Sequence, residues 1–315
     1  MRVLVTGAAG FIGSHVCARL SEDHDVVGID DLSTGDRSNL DGIDIEFVEG
    51  SILDPDALAT AASGADSVVH LAAIPSVPRS MANPLASHDA IVTGTLRVLE
   101  VARALDDPLV VMASSSSVYG ANPELPKHER MTPMPMSPYA GAKLAAEQYC
   151  TTWSRCFGLR TLPFRFFNVY GSRQTPGHAY AAVVPAFVDA ALAGRPIPVH
   201  GDGTQSRDFT YVGTVVDVIA DALRRDVATD GPVNLAFGTR STLLDVIELL
   251  ETQLGRELER EHSTSRVGDV PHSQADHTLL DELFPTIVPT SLDDGLRDTV
   301  AWMTSYLAGD HAPSS

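Results

Sequence analysis

Short β-branched runs alternate with helix-periodic stretches through the first half of the chain. Strand-like runs at 3–6, 25–29, 45–48, 67–71 and 109–113 are separated by amphipathic segments over 11–20, 55–62 and 84–104. This alternation predicts a parallel sheet covered by helices on both faces, an α/β doubly wound architecture. A proline-rich stretch over 122–138 interrupts the pattern, and a helix over 139–157 then leads into a strand at 160–166. Prolines in that setting predict an ordered loop beside a site.

Beyond Phe167 the regularity breaks into shorter pieces. Helices are expected over 182–193, 212–225, 243–254 and 292–307, with a strand at 198–200. The chain therefore divides into a main domain over 1–167 and a smaller C-terminal α+β lobe over 168–308, with segments returning to the main domain. A polar, frayed tail is expected at 309–315.

Composition narrows the function classes. The 315 residues include 22 basic and 41 acidic side chains, a net charge of −19, which argues against a binder of phosphate backbones. Cys17, Cys150 and Cys156 lack CxxC or zinc-ligand spacing, so buried thiols in a reducing compartment are expected. No apolar run reaches the roughly 18 residues of a membrane span, and the N-terminus enters a glycine motif instead of a signal peptide. These features predict a soluble cytoplasmic protein. The histidines show no metal-ligand spacing, and no metal is expected.

The first run, Val3 to Thr6, feeds directly into Gly7, Gly10 and Gly13, with Phe11 and Ile12 opening a helix. Glycines let backbone approach phosphate, and the helix N-terminus offers unpaired N–H groups to a pyrophosphate. Strand, glycine turn and helix together form a Rossmann-type dinucleotide signature. About 20 residues on, Asp30 and Asp31 end the second strand, where an acid accepts hydrogen bonds from an adenosine ribose diol. Such carboxylates repel a 2′-phosphate, which favours NAD, while the nearby Arg37 keeps NADP open.

Tyr139 and Lys143 stand at i and i+4, on one face of the expected helix. An ammonium beside a phenol favours the phenolate, so a Tyr139 pKa lowered toward the range of a general base is expected. Either side chain alone would suit a solvated surface. Upstream, Ser114 to Ser117 follow the strand at 109–113, placing hydroxyls at the carboxyl end of the sheet, where open α/β folds bind ligands.

With these motifs in view, the chain resembles the extended short-chain dehydrogenase/reductase family, and within it the NAD-dependent nucleotide-sugar 4-epimerases. The markers span nearly the whole chain. They are the Gly7/Gly10/Gly13 spacing, the stretch from Asp30 through Thr34 and Gly35, His70-Leu71-Ala72-Ala73, the serine run, and the Tyr139/Lys143 pair. Arg165 to Gly171, Gly201-Asp202-Gly203 with Arg207-Asp208-Phe209, and Arg266 to Val270 complete the set.

The resemblance implies that Tyr139 takes the proton from a sugar 4-hydroxyl, Lys143 holds the nicotinamide ribose, and Ser115 hydrogen-bonds the same sugar oxygen. The C4 hydride passes to NAD and returns to the opposite face of a 4-keto sugar. Gly7, Gly10, Phe11, Ile12, Gly13, Asp30, Asp31, Thr34, Gly35, Ser51, Ile52, Leu71, Ala72 and Ala73 become cofactor-binding positions. Asn168, Arg207 and Arg266 become diphosphate ligands with Asp269 near the nucleotide ribose, while Arg79, Ser116 and Ser273 line the sugar site. A UDP-sugar substrate and a homodimer paired through helices at 85–104 and 139–157 are expected on the same ground.

Related 4,6-dehydratases carry an acid pair where Ser116 and Ser117 stand, and decarboxylating relatives a Glu at Ser117, so simple 4-epimerisation is expected. The small Ser273 and the 173–180 segment resemble members that handle N-acetylated sugars. Arg79 leaves a UDP-glucuronate epimerase as the neighbouring alternative. Ser51 replaces a common Asp and Ile91 a common Asn, departures that bear on cofactor affinity. A non-catalytic NAD-binding protein is the reading from another class, since fold does not establish function; joint retention of Ser115, Tyr139 and Lys143 speaks against it.

Lysine occurs only at Lys127 and Lys143, while acids are dispersed along the chain. Screening by salt relieves the self-repulsion of so acidic a protein. Melting curves are therefore expected to move to higher temperature from low to molar KCl; equal melting in both rejects a high-salt adaptation.

Overall fold

The computed structural model describes residues 1–176, 182–264 and 271–309. Seven strands form one parallel sheet: β1 (Arg2–Thr6), β2 (Asp25–Asp30), β3 (Glu46–Glu49), β4 (Ser67–His70), β5 (Leu109–Ser115), β6 (Arg160–Phe166) and β7 (Val233–Leu235). Their spatial order is β7-β6-β5-β4-β1-β2-β3. Val5 lies between Gly28 of β2 and Val69 of β4, so the winding reverses at β1/β4. That switch point is where doubly wound sheets open a ligand crevice at their carboxyl edge.

Both sheet faces are covered, which explains why the inner strands read as continuous apolar runs. On one face lie α1 (Phe11–Leu20), through Val16, Cys17 and Leu20, and a long helix Val212–Arg225, through Val215, Val218, Ile219 and Ala222. On the other lie α2 (Pro55–Ala62), α3 (Gly94–Ala102) and α4 (Pro138–Phe157), contributing Leu58, Val98, Leu99, Ala142, Ala146 and Cys150. Asp54 caps α2 ahead of Pro55, and Ser137 caps α4 ahead of Pro138, each side chain accepting a first-turn N–H.

The remaining segments build a second core. Phe187 and Val188 of helix Val183–Leu192 pack with Val246, Ile247 and Leu250 of helix Leu243–Leu254 and with Leu296 and Met303 of helix Leu292–Leu307. A parallel pair, Asn168–Tyr170 with Phe209–Tyr211, connects this core to the main sheet.

Three expectations require correction. The single helix expected over 84–104 is a helix Pro84–His88, a π turn Asp89–Thr93 and α3. At this break the Thr95 hydroxyl donates to the Ile91 carbonyl at 2.6 Å, and a Cβ on Gly94 would crowd Ile52. β7 was not expected, because three residues are too short to show a period. Cys17 and Cys150 are buried, but Cys156 is exposed, on the outer face of the last turn of α4. No helix among the described residues is long and apolar enough to cross a membrane.

Candidate active site

The end of β1 and the start of α1 form a tight backbone cradle. Gly7 has φ +72°, and a Cβ there would lie 2.8 Å from the Ala72 backbone nitrogen. A Cβ on Gly13 would run into the Gly7 carbonyl oxygen. Gly10 is the N-cap of α1 and no side chain caps it, so the first-turn N–H groups around Phe11 and Ile12 remain available to an anion.

Asp30 is buried at the end of β2 and braces this cradle: Oδ2 accepts from the Ala9 N–H at 3.0 Å and Oδ1 from Leu32 N–H at 2.9 Å. Burial raises its pKa, and these backbone donors oppose the rise. Asp31 is exposed, Thr34 also, and Gly35 sits so near Asp30 that a Cβ would be 3.0 Å from its Oδ1. The Arg37 guanidinium stacks 4.3 Å from the Phe47 ring centroid. Ser51 accepts from the Leu53 N–H at 3.3 Å, and Ile52 is buried.

A closed hydrogen-bond chain joins the two sides of the switch point. Thr95 spends its proton on Ile91, so its oxygen must accept from His70 Nε2 at 3.0 Å. His70 Nδ1 then accepts from the Thr6 hydroxyl at 2.8 Å. Thr6 Oγ1 in turn accepts the N–H groups of Leu71 and Ala72, both at 3.2 Å. Counting protons thus assigns His70 the Nε2–H tautomer. Burial, aided by the Lys143 charge, pushes its pKa down to about 3, so the ring stays neutral. The chain fixes the Leu71-Ala72-Ala73 turn against Gly7. The motif containing His70 was visible in the sequence, but its partner Thr95 was not.

Ser115 ends β5, and α4 brings Tyr139 and Lys143 to it. Ser115 Oγ accepts from the N–H of Ser117 at 3.2 Å and from its hydroxyl at 2.9 Å, which leaves the Ser115 proton free to donate. Lys143 Nζ donates to the Ala113 carbonyl at 2.8 Å. The expected lowering of the Tyr139 pKa is not found: burial raises it, opposed by a hydrogen bond with Ser115. Burial also pushes Lys143 down to about 8. The i,i+4 spacing places both groups on one face, but desolvation outweighs their mutual influence.

The proposed sugar-nucleotide positions cluster around a buried carboxylate that sequence reasoning did not single out. Asp208 accepts from the Ala275 N–H at 3.0 Å and the Thr239 hydroxyl at 2.9 Å, and its carbonyl accepts from the Asn168 side chain at 3.2 Å. Neighbouring Arg207 donates to the Ser206 and Pro271 carbonyls, and Ser273 N–H donates to Ser206 at 3.0 Å. Asn168, Arg207 and Ser273 are thus drawn together. Ser116 opens the turn after Ser115, and Arg79 lies in a short helix, Val77–Ala82, that packs beside α4. Arg266, Asp269 and the 177–180 part of the 173–180 segment lie outside the described residues.

Residues 3–236 match the model of the NAD dependent epimerase/dehydratase family. The chain belongs to that family. A UDP-glucose 4-epimerase of Mycolicibacterium smegmatis is 38% identical over 95% of this chain and 97% of its own length. Among solved structures, a UDP-N-acetylglucosamine 4-epimerase from Methanobrevibacter ruminantium in complex with UDP-N-acetylmuramic acid has a TM-score of 0.92 at 35% identity, covering 97% of this chain and 98% of that one. A Bacillus cereus UDP-glucuronic acid 4-epimerase, in complex with UDP-glucuronic acid and NAD, has a TM-score of 0.86 at 30% identity, covering 97% and 100%. NAD is the cofactor of this epimerase/dehydratase chain. The cradle fits it: Gly7 and Gly13 let the turn between β1 and α1 pack directly on the Ala72 and Gly7 backbone, and the uncapped first turn of α1 leaves N–H groups for a pyrophosphate.

Two outcomes follow from these networks. His70→Leu strands the Thr6 hydroxyl proton and removes the donor to Thr95, and NAD binding measured by calorimetry is expected to weaken by roughly 5- to 100-fold; an unchanged affinity shows that the Leu71–Ala73 turn is held without His70. For Lys143, the folded pKa of about 8 lies below the ordinary lysine value of 10.5. The folded state binds fewer protons in that window, so the charge penalty is full below pH 8 and fades as pH rises to 10.5. Lys143→Met is therefore expected to be more stable than wild type by about 1–3 kcal/mol at pH 7, with the gap closing between pH 8 and 10.5 in denaturant titrations. A gap independent of pH rejects this account.

Proposed function

We propose that the chain is an NAD-dependent 4-epimerase of UDP-hexoses, acting on UDP-glucose/UDP-galactose and on UDP-N-acetylglucosamine/UDP-N-acetylgalactosamine. The observation that carries this reading is the meeting of Ser115, Tyr139 and Lys143 at the carboxyl end of β5, beside the glycine cradle. The four residues after Ala113 are all serine, so the chain offers no acid there for eliminating water or carbon dioxide. Relatives with UDP-glucose and UDP-N-acetylglucosamine epimerase names support the substrate class.

In this reading Tyr139 Oη takes the proton of the sugar 4-hydroxyl and later returns it to O4, so no acid or base is consumed over a cycle. Ser115, its oxygen already occupied by two donors from Ser117, directs its hydrogen at the phenolic or sugar oxygen. Lys143, held by the Ala113 carbonyl, orients the nicotinamide ribose. NAD, when bound, supplies the hydride acceptor and donor at C4. Asn168, Arg207 and Arg266 take the diphosphate, whose charge suits forked guanidinium donors, and Asp269 takes the nucleotide ribose. The small Ser273 leaves room for an N-acetyl group.

A UDP-glucuronate 4-epimerase is the second reading, favoured by Arg79 as a carboxylate partner and by the Bacillus cereus neighbour. Exposed Met81 and Leu85 beside α4 support a homodimer paired through this face, and the described cysteines, all free, fit a cytoplasmic setting.

Protein incubated in high salt with UDP-glucose, UDP-N-acetylglucosamine or UDP-glucuronate, with and without added NAD, is expected to give galacto-configured products by proton NMR without net NADH. Tyr139→Phe is expected to lower turnover by roughly 10²- to 10⁴-fold. Loss of the C6 oxygen or carboxylate would identify a dehydratase or decarboxylase, and NAD binding without turnover of any sugar would reject the epimerase.

A further inference from the structure

Glu147 follows Lys143 by four residues, so Tyr139, Lys143 and Glu147 lie along one face of α4. The last three residues of β5 answer them in turn. The Ala113 carbonyl accepts from Lys143 at 2.8 Å, Ser114 Oγ donates to Glu147 Oε2 at 2.7 Å, and Ser115 bonds Tyr139. Glu147 is wholly buried and faces Arg165, 2% exposed, on the adjacent strand β6. The pair is forked: Nε reaches Oε2 at 2.9 Å and Nη2 reaches Oε1 at 2.6 Å.

Arg165 is itself immobilised. Its Nη1 donates to the Glu129 carbonyl at 3.3 Å, and its guanidinium lies 4.7 Å from the Tyr119 ring centroid. The Tyr119 hydroxyl donates to Asn234 Oδ1 at 2.6 Å, and Asn234 on β7 donates its N–H to Glu129 Oε1 at 2.9 Å. Burying two charges costs several kcal/mol per ion, and an apolar pair of similar volume is commonly as stable or more so. What the ion pair supplies that an apolar pair lacks is a planar, two-bond geometry that fails when the helix slides or turns.

We propose that Glu147 and Arg165 are positioning residues that set the depth and rotation at which α4 presents Tyr139 and Lys143 to the end of β5. The proposal rests on the epimerase reading for its kinetic consequence, although not for its geometry. Glu147→Asp keeps the charge but withdraws the carboxylate by one methylene; Glu147→Leu with Arg165→Met removes both charges while filling the space. Turnover number, sugar KM, NAD affinity and melting temperature would be measured for each. Because the chain has only two lysines, the Lys143 titration can also be followed by NMR of ¹³C-lysine-labelled protein, with Lys127→Arg making the assignment.

Both variants are expected to lose turnover by roughly 10- to 100-fold, while sugar KM and NAD affinity stay within about threefold of wild type. The double variant is expected to melt close to wild type, and in both the Lys143 midpoint rises as the displaced helix admits water. Wild-type turnover in either folded variant overturns the proposal. So does a turnover loss matched by equal loss of NAD affinity, since that marks general damage. If the double variant does not fold, Glu147→Asp decides. If wild type turns over no sugar, the epimerase reading fails by itself, and an unchanged Lys143 midpoint in Glu147→Asp still overturns the positioning role.

Discussion

A parallel sheet covered on both faces buries polar side chains at the ends of its inner strands, among them Thr6, His70 and Ser114, so each of these has to find its partner within the protein. That constraint shapes the whole site. At β1 and β4 the partners are Thr6, His70 and Thr95, and the chain they form pins the Leu71–Ala73 turn onto Gly7. At β5 they are Lys143 against the Ala113 carbonyl and Glu147 against Ser114. The cofactor cradle and the Tyr139/Lys143 pair are therefore adjoining parts of one satisfied edge, joined through β4 and β5. Asp208 applies the same rule to the lobe, where a buried carboxylate gathers Ala275, Thr239 and, through its backbone, Asn168.

Each of these solutions sacrifices stability for geometry. A neutral imidazole, a depressed ammonium and a raised phenol are all consequences of burial. In the proposed cycle a phenol that burial holds protonated needs help to act as a base, and the hydrogen bond with Ser115, which opposes the rise in its pKa, would supply part of it. Lys143 supplies less direct help than its spacing implies, because its nitrogen is engaged by the Ala113 carbonyl. In the proposed cycle that arrangement suits a group that orients the ribose more than one that carries the proton.

Much of this was legible because the signals are local. The bounds of α1 and α2 follow from Gly10 and from Asp54-Pro55, and Tyr139 and Lys143 declare their common face by spacing alone. What was not legible depends on elements far apart in the chain. β7 is a strand only because Val233–Leu235 docks on β6. The π turn before α3 adjoins a hydrogen bond from His70 to a residue 25 positions away. Glu147 shares the spacing of Lys143, but among 41 acids nothing local distinguishes it; its burial is set by Arg165, one strand over. The Tyr139 pKa was misread for the same reason, since spacing reveals a neighbour and not the desolvation around it.

The distribution of cations adds a last step. Lys127 and Lys143, the only lysines, are each 5% exposed, so every basic side chain on the described surface, histidine apart, is an arginine. Both ammonium groups donate to backbone carbonyls, of Asn122 and Ala113. An ammonium is a compact point charge with three rotatable donors, whereas a guanidinium is a wide planar fork. The interior carbonyl sites suit the first; the forked pair of Arg165 with Glu147, and Arg225 setting both Nε and Nη2 on Asp221 Oδ2, suit the second. Lysine therefore persists where a single carbonyl has to be reached in a confined space. Its exclusion from the surface leaves arginine to offset the acids there, and the remaining net charge of −19 is balanced by counterions in solution.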